Sequence, residues 1–498
     1  MHLSMARTAD CRRSSATEPH SKVRRTSPRA TASARPAIAI LAAVALTGLT
    51  QSAVAESAAA PPGSDATLLS DAPVAIAPAA GEAAPESWAI HGQATNVWQY
   101  HPAFTSRIPP GAQSLDSGSR GNETVSVSLF GGVRLWPGAE AWVNPEIDQG
   151  FGLSDTFGIA GFPNGESFKV GARDPYVKLP RLFLRQTIDL GGNTERVESD
   201  LDVLGGVQKS NRIVVTIGKF SVVDVFDTNR YAHDPRGDFM NWTIMDAGAF
   251  DYASDAWGFT AGAAVEWYQD WWTIRAGLFD GTTVPGSKFL SFPLGAQTQG
   301  VVELEARYAL SAQPGAVRLL FAGTRARLAS YDDAIANGIA LGEPATGDGV
   351  RRLRNKGTVA LNLEQQIHED LGVFARASRE DGGVETYDFT DVTQSVNVGV
   401  SLAGTRWRRP DDTVGLAGVI NLASRPMRAF LAAGGLDVLI GDGQLHNSGP
   451  EQIIEAYYSC TVVKGISVTA DYQFVHNPAY NRDRGPVSVF GGRLHVEF

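Results

Sequence analysis

Ile466-Ser467-Val468-Thr469-Ala470-Asp471-Tyr472-Gln473-Phe474 reads oily, polar, oily, polar without a break. Successive side chains of an extended chain point to opposite faces, so Ile466, Val468, Ala470, Tyr472 and Phe474 share one face and the polar residues share the other. The same beat returns in Ala141-Trp142-Val143-Asn144-Pro145-Glu146. It returns again over residues 181–190, 301–310, 358–367, 395–402 and 451–462, with Gly, Pro, Asn and Asp between the segments. The chain is therefore a long succession of strands, each with one apolar and one polar face.

The polar faces carry formal charge strand after strand: Glu140, Glu146 and Asp148; Arg181, Arg185 and Asp189; Glu303, Glu305 and Arg307; Glu364; Arg376; Glu455; Asp471. That is too polar for the core of a sandwich. In a soluble sheet these charges would face water and the apolar faces would pack on a second sheet. Here the apolar faces end in aromatics instead, namely Trp88, Trp98, Trp136, Trp257, Trp267, Trp272, Trp407, Tyr458 and Tyr472, as girdles at two membrane interfaces require. The pattern predicts an all-β fold: a closed antiparallel transmembrane β-barrel of about 16 strands around an aqueous lumen, with short periplasmic turns and long extracellular loops. The count extends to roughly 18 if residues 244–253 form a strand. Residues 151–180 and 331–349 are too long and irregular for turns, and each is expected to be an external loop or an inward constriction. Leu494, Val496 and Phe498 close the chain on the lipid face of a last strand.

The chain has 498 residues, with 43 Lys and Arg against 53 Asp and Glu. Residues 1–55 read as a secretory signal: Arg24, Arg25, Arg29 and Arg35 precede an apolar run over 37–49, and Ala53-Val54-Ala55 supplies a small-residue cleavage site. Its eight basic and two acidic residues leave with it, so the mature chain carries 35 basic against 51 acidic residues, a net charge of about −16. That balance argues against a nucleic-acid partner. Cys11 leaves too, so Cys460 has no internal partner and a large hydrogen-bonded framework must replace disulfides. Residues 56–87 are an Ala/Pro-rich flexible spacer without aromatics, which leaves 88–498 for the barrel. Beyond residue 55 no run of apolar residues is long enough for a membrane helix. The sequence lacks G-x-S-x-G, Walker A and G-x-G-x-x-G patterns, and Gly372 breaks the spacing that His368-Glu369 would need for H-E-x-x-H. The expectation is a channel with no enzymatic activity and no cofactor.

Six stretches, in order along the chain, resemble the carbohydrate-selective porin family of the OprB type. They are Asn144-Pro-Glu-Ile-Asp-Gln-Gly150, Arg181-Leu-Phe-Leu-Arg-Gln186, Gly218-Lys-Phe-Ser-Val-Val-Asp-Val-Phe-Asp227, Tyr231-Ala-His-Asp-Pro-Arg236, Arg409-Pro-Asp-Asp-Thr-Val-Gly-Leu416 and Asp483-Arg-Gly-Pro-Val-Ser-Val-Phe490. The resemblance implies a 16-stranded barrel in the outer membrane of a Gram-negative bacterium, embedded in outer-membrane lipid and assembled as a homotrimer. It implies small sugars as the permeating solutes. Because the family resemblance also takes in proteins linked to manganese uptake, it leaves the solute open.

A passive channel selects by width, lining charge and hydrogen-bonding groups, so the candidate site residues lie on the polar faces. Glu140, Trp142, Asn144, Glu146 and Asp148 share one face of a strand, and Arg181, Phe183 and Arg185 share one face of the next. If these strands are neighbours, cations and carboxylates meet on the lumen wall. Trp142 and Phe183 would then offer rings to the C–H face of a pyranose, while Arg and Glu bind its hydroxyls. The same charges can instead neutralise one another and stiffen the wall. Asp224, Asp227, His233 and Asp234 fall in one short segment, and carboxylates with one imidazole suit a divalent cation such as Mn²⁺ or Ca²⁺. Turn and helix-cap chemistry uses the same residues. Two transport readings follow: facilitated diffusion of small carbohydrates, monosaccharides such as glucose, or a channel for divalent cations, particularly Mn²⁺, which the negative net charge would concentrate at the mouth.

Overall fold

The computed structural model describes residues 85–167, 171–443 and 445–498. The expected signal at 1–55 and nearly all of the spacer at 56–87 lie outside the described residues. The first eight strands are β1 Trp88–His101, β2 Arg120–Trp136, β3 Ala139–Gly150, β4 Ala172–Val197, β5 Gly206–Phe220, β6 Thr260–Gln269, β7 Trp272–Asp280 and β8 Thr298–Leu310. The second eight are β9 Gln313–Leu328, β10 Arg352–His368, β11 Leu371–Glu380, β12 Gln394–Ala403, β13 Thr413–Leu422, β14 Glu451–Val463, β15 Ile466–His476 and β16 Val487–Glu497. Each pairs antiparallel with its chain neighbours, and β1 closes on β16 with Ala94 opposite Val496, so the described residues form a closed barrel of sixteen strands.

Closure removes every sheet edge, which is what lets strands cross a membrane without orphan backbone groups. The described residues contain no helix long and apolar enough to cross. Five hairpins close in two residues at one rim. One of them, Pro137-Gly138, requires its glycine: φ is +78°, and a Cβ there would stand 2.2 Å from the Thr187 carbonyl oxygen. Longer connections occupy the opposite rim. The alternation sorts as expected. Leu182, Leu184, Ile188 and Leu190 of β4 are exposed on the outside, while Arg181 and Arg185 turn inward. Trp88, Trp136, Trp267, Trp271 and Trp272 gather at the turn rim, and Trp98, Tyr100, Tyr472 and Phe490 lie toward the loop rim.

Four readings are decided or corrected. Residues 244–253 form no strand: a short helix α1, Trp242–Met245, capped by the Asn241 side chain, is followed by loop. The stretch expected as loop over 151–180 is already strand from Ala172. Residues 331–349 contain a helix, α2 (Tyr331–Leu341), because Ser330 caps it, Asp332 and Asp333 sit in its first turn, and Gly342 in the left-handed region stops it. A third helix, α3, spans Arg425–Ala432. Trp257 is not a girdle residue either. It stands in the loop between β5 and β6, with its Nε1 3.1 Å from the Tyr176 hydroxyl.

That loop, residues 221–259, folds into the barrel, so the protein's apolar core sits inside the lumen. Trp242 stacks on Phe162 at 5.5 Å and touches Phe389 at 4.4 Å, with Phe226, Phe250 and Tyr252 buried in the same cluster. Buried loop backbone needs acceptors, and the strands supply them as carboxylates. Glu455 accepts from Met240 and Asn241 N–H at 2.6 and 3.0 Å. Glu451 accepts from Ala160, Gly161 and Ala479. Within the loops, Asp251 accepts from Tyr387, Asp388 and Phe389. The Asp251 carboxylate also binds Lys356 of β10 at 2.8 Å, and Lys356 reaches Glu380 at 2.9 Å.

Candidate functional site

Strands β3 and β4 are neighbours, and their register brings the inward residues together: Glu140 opposite Arg185, Trp142 opposite Phe183, Asn144 opposite Arg181, Glu146 opposite Lys178. Cross-strand partners stand about 5 Å apart, within reach of long side chains. Arg181 grips Asp224 of the inward loop with a two-pronged fork, Nε to Oδ2 at 2.8 Å and Nη2 to Oδ1 at 2.6 Å, and its Nη1 donates to Asn144 at 3.2 Å. The guanidinium lies over the Phe259 ring at 5.0 Å. This is planar bidentate recognition held by an aromatic floor.

Arg185 does not bind Glu140 across the strand. It donates to the Asp202 carbonyl at 2.7 Å and reaches the Asp202 carboxylate at 3.4 Å, because the turn between β4 and β5 folds back toward the lumen. Glu140 takes Arg134 at 3.4 Å and the Trp142 indole N–H at 3.2 Å. Deeper, Lys178 binds Glu146 at 2.9 Å and Asp148 at 2.7 Å, and Arg236 from the inward loop joins Glu146 to Glu166 at 3.2 and 3.0 Å. Water reaches Arg181, Asp224, Arg185 and Asp202, whose side chains are 17, 21, 23 and 29% exposed. The two rings expected as sugar platforms are covered: Trp142 and Phe183 are 2 and 4% exposed, with Phe183 edge-on to Phe220 at 6.3 Å. They shape the wall from behind the charges.

A second charge ladder, on β6 to β10, was not among the candidates. Arg275 binds Glu266, Glu303 and Glu305 at 3.2, 2.8 and 3.0 Å, and Arg318 bridges Glu305 and Glu364 at 2.9 and 3.0 Å. Arg307 completes it against Glu305. Its signal in the sequence is the inward parity that Arg275, Glu303, Glu305 and Arg318 share, but pairing it needs the register.

The four metal candidates are dispersed among separate partners. Asp224 holds Arg181, Asp227 holds Arg376 at 3.2 Å, and Asp234 accepts from the Arg236 backbone N–H at 2.9 Å. His233 lies 3.1 Å from Asp246. Burial disfavours charge on the His233 ring, but the hydrogen bond and negative charge of Asp246 outweigh it and raise the pKa to about 9. Among the described residues no group of three or more His, Cys, Asp or Glu is arranged to hold a metal ion.

The family model of the carbohydrate-selective porins, OprB family, matches residues 112–498. No curated protein matches. Among solved structures, the high-pH structure of Pseudomonas putida OprB is similar with 15% identity and a TM-score of 0.62, covering 83% of this chain and 94% of that one. The low-pH structure of the same protein (12% identity, TM-score 0.45) covers 83% of this chain and 93% of that one. The outer membrane channel DcaP of Acinetobacter baumannii (10% identity, TM-score 0.46) covers 82% and 97%.

Proposed function

Since the chain belongs to the OprB family of carbohydrate-selective porins, which are outer-membrane channels and not enzymes, we propose that it admits single sugar rings such as glucose along the wall formed by β3, β4 and the inward loop. The observation that carries this reading is the water-reached pairing of Arg181 with Asp224 and Asn144 and of Arg185 with Asp202. A guanidinium offers only donors and a carboxylate only acceptors, so a paired row of them meets both halves of every sugar hydroxyl. A neutral polyol can exchange water for these groups step by step, while the pairing leaves little net field to trap an ion. Arg181, Arg185 and Glu140 are the proposed solute contacts, and the buried Asn144 positions Arg181 from behind. Glu146 and Asp148 hold Lys178 and Arg236 and fix the loop that narrows the path. The homotrimer implied by the family resemblance belongs to the same reading.

Planar-bilayer conductance with glucose, arabinose, sucrose and Mn²⁺ tests it. Glucose should block the ion current reversibly, sucrose should block more weakly, and Arg181→Ala should weaken the glucose block about tenfold, equivalent to ~1.4 kcal/mol. Unchanged block in that variant removes Arg181 from the path. Light scattering of the detergent-solubilised protein should return three chains per particle.

A further inference from the structure

On the outer wall of β8 to β11 a cluster of like charges interrupts the lipid face. Arg325 and Arg327 of β9 and Arg379 of β11 are exposed, and the alternation turns them outward with Phe321 and Ala377. Register places Arg325 opposite Thr298 and Asn355, Arg327 opposite Leu353, and Arg379 opposite Val359 and Gln394. None of the three lies within ion-pair distance of a carboxylate of the described residues, whereas the lumen arginines described above are all paired. They stand near the loop rim, where β9 and β11 end.

Beside them the aliphatic coat is interrupted. Gly300, Gly323 and Gly357 are mutual partners across β8, β9 and β10, in one lateral row. A Cβ on any of them would meet nothing within 4 Å, and none has a positive φ, so neither packing nor backbone conformation inside this chain asks for glycine there. The row leaves a smooth strip about 10 Å across three strands. Leu278, Val302, Phe321 and Val359 border it. The adjoining loop between β7 and β8 exposes Phe289, Phe292 and Leu294 by 73, 88 and 64%. That loop is pinned to the same sector, because the Gln297 side chain accepts the Arg327 backbone N–H at 2.5 Å.

We propose that this sector is a binding site for a phosphorylated, multiply acylated glycolipid of the outer leaflet. The three guanidiniums take its phosphates, and the acyl chains lie over the glycine strip and against Phe321 and Val359. Charge complementarity selects the ligand class: arginine forks match phosphate oxygens, and clustered cations beside a lipid-facing wall recognise anionic headgroups. Continuity with the lipid-facing wall argues for a lipid over a second copy of this chain. The site is separate from the lumen residues of the sugar path.

Native mass spectrometry of the full mature chain, released from nanodiscs containing hexa-acylated bisphosphoryl lipid A and phosphatidylcholine, tests the assignment. The unaltered protein should retain the phosphorylated glycolipid at least tenfold more than the same lipid with its phosphates removed. Arg325→Gln/Arg327→Gln/Arg379→Gln should abolish that preference with glucose block unchanged, and Gly323→Trp should reduce retention with all three arginines present. Equal retention of phosphorylated and dephosphorylated lipid by the unaltered protein overturns the proposal without recourse to any variant. So does a triple variant that keeps its lipid preference but no longer forms an oligomer, an outcome that assigns the sector to a second copy instead.

Discussion

Glu451 and Glu455 on β14 and Arg181 and Arg185 on β4 hold the same place in the strand pattern, charged and inward, yet they belong to different kinds of wall. The carboxylates are fully buried and each accepts two or three backbone N–H groups from loops packed on them. The arginines pair with carboxylates that water still reaches. The first wall is closed by loop residues 151–167 and 221–259 and acts as a set of anchors. The second faces what those loops leave open. Charge in a lumen is therefore not evidence of contact with solute until its partners are known: an acceptor shared among amides is structural, and an accessible fork beside a carboxylate is available for exchange.

The contrast makes the anchored side the fragile one. Lys356→Met should cost the most, about 3–5 kcal/mol, because Asp251 and Glu380 would be left without their buried cation. Chemical unfolding in detergent should show it as a large shift of the midpoint. Glu455→Ala should cost about 1–3 kcal/mol for the two amides it strands. It should also raise single-channel conductance and flatten sugar selectivity, since the inward loop loses its hold on β14; unchanged conductance would show that the loop stands without this anchor.

On the accessible side, substitutions should alter transport more than stability. Arg185→Ala should change glucose block by a few fold, less than Arg181→Ala, because its fork on Asp202 is looser, and should leave thermal stability within about 1 kcal/mol. The His233–Asp246 contact sharpens the comparison with pH. A ring raised from its ordinary 6.5 to about 9 stabilises the fold fully below about pH 6.5, and that contribution is lost as pH rises through 9. The melting midpoint should therefore fall by roughly 2–4 °C between pH 6.5 and 10, and His233→Gln should remove most of that slope. The smallest effect is expected for Arg120→Ala at the loop rim, whose exposed pair with Asp116 should change stability by less than ~1 kcal/mol.

Much of the architecture was legible in the order of residues because a strand's two-residue period writes its two environments directly into the chain. Ile466 to Phe474, Arg181 to Leu190 and the final Leu494, Val496 and Phe498 needed no partner to be read. Residues 244–253 stayed ambiguous because a short capped helix inside a loop has too few residues to show a period. Trp257 misled because an aromatic that ends a polar segment looks the same in a girdle and in a folded-in loop. Trp142 and Phe183 were placed correctly on the inward face, but alternation says nothing of what covers that face.

The sequence by itself determined that apolar and charged faces alternate around a closed wall, since face assignment depends only on local backbone geometry. Which charge meets which partner was decided by the tertiary structure alone: Arg181 with Asp224, Arg185 with Asp202 instead of Glu140, Glu455 with the amides of Met240 and Asn241. Those pairings depend on strand register and on loops returning from 17 to more than 200 residues away in the chain. Contacts across such separations are set by how the whole barrel closes.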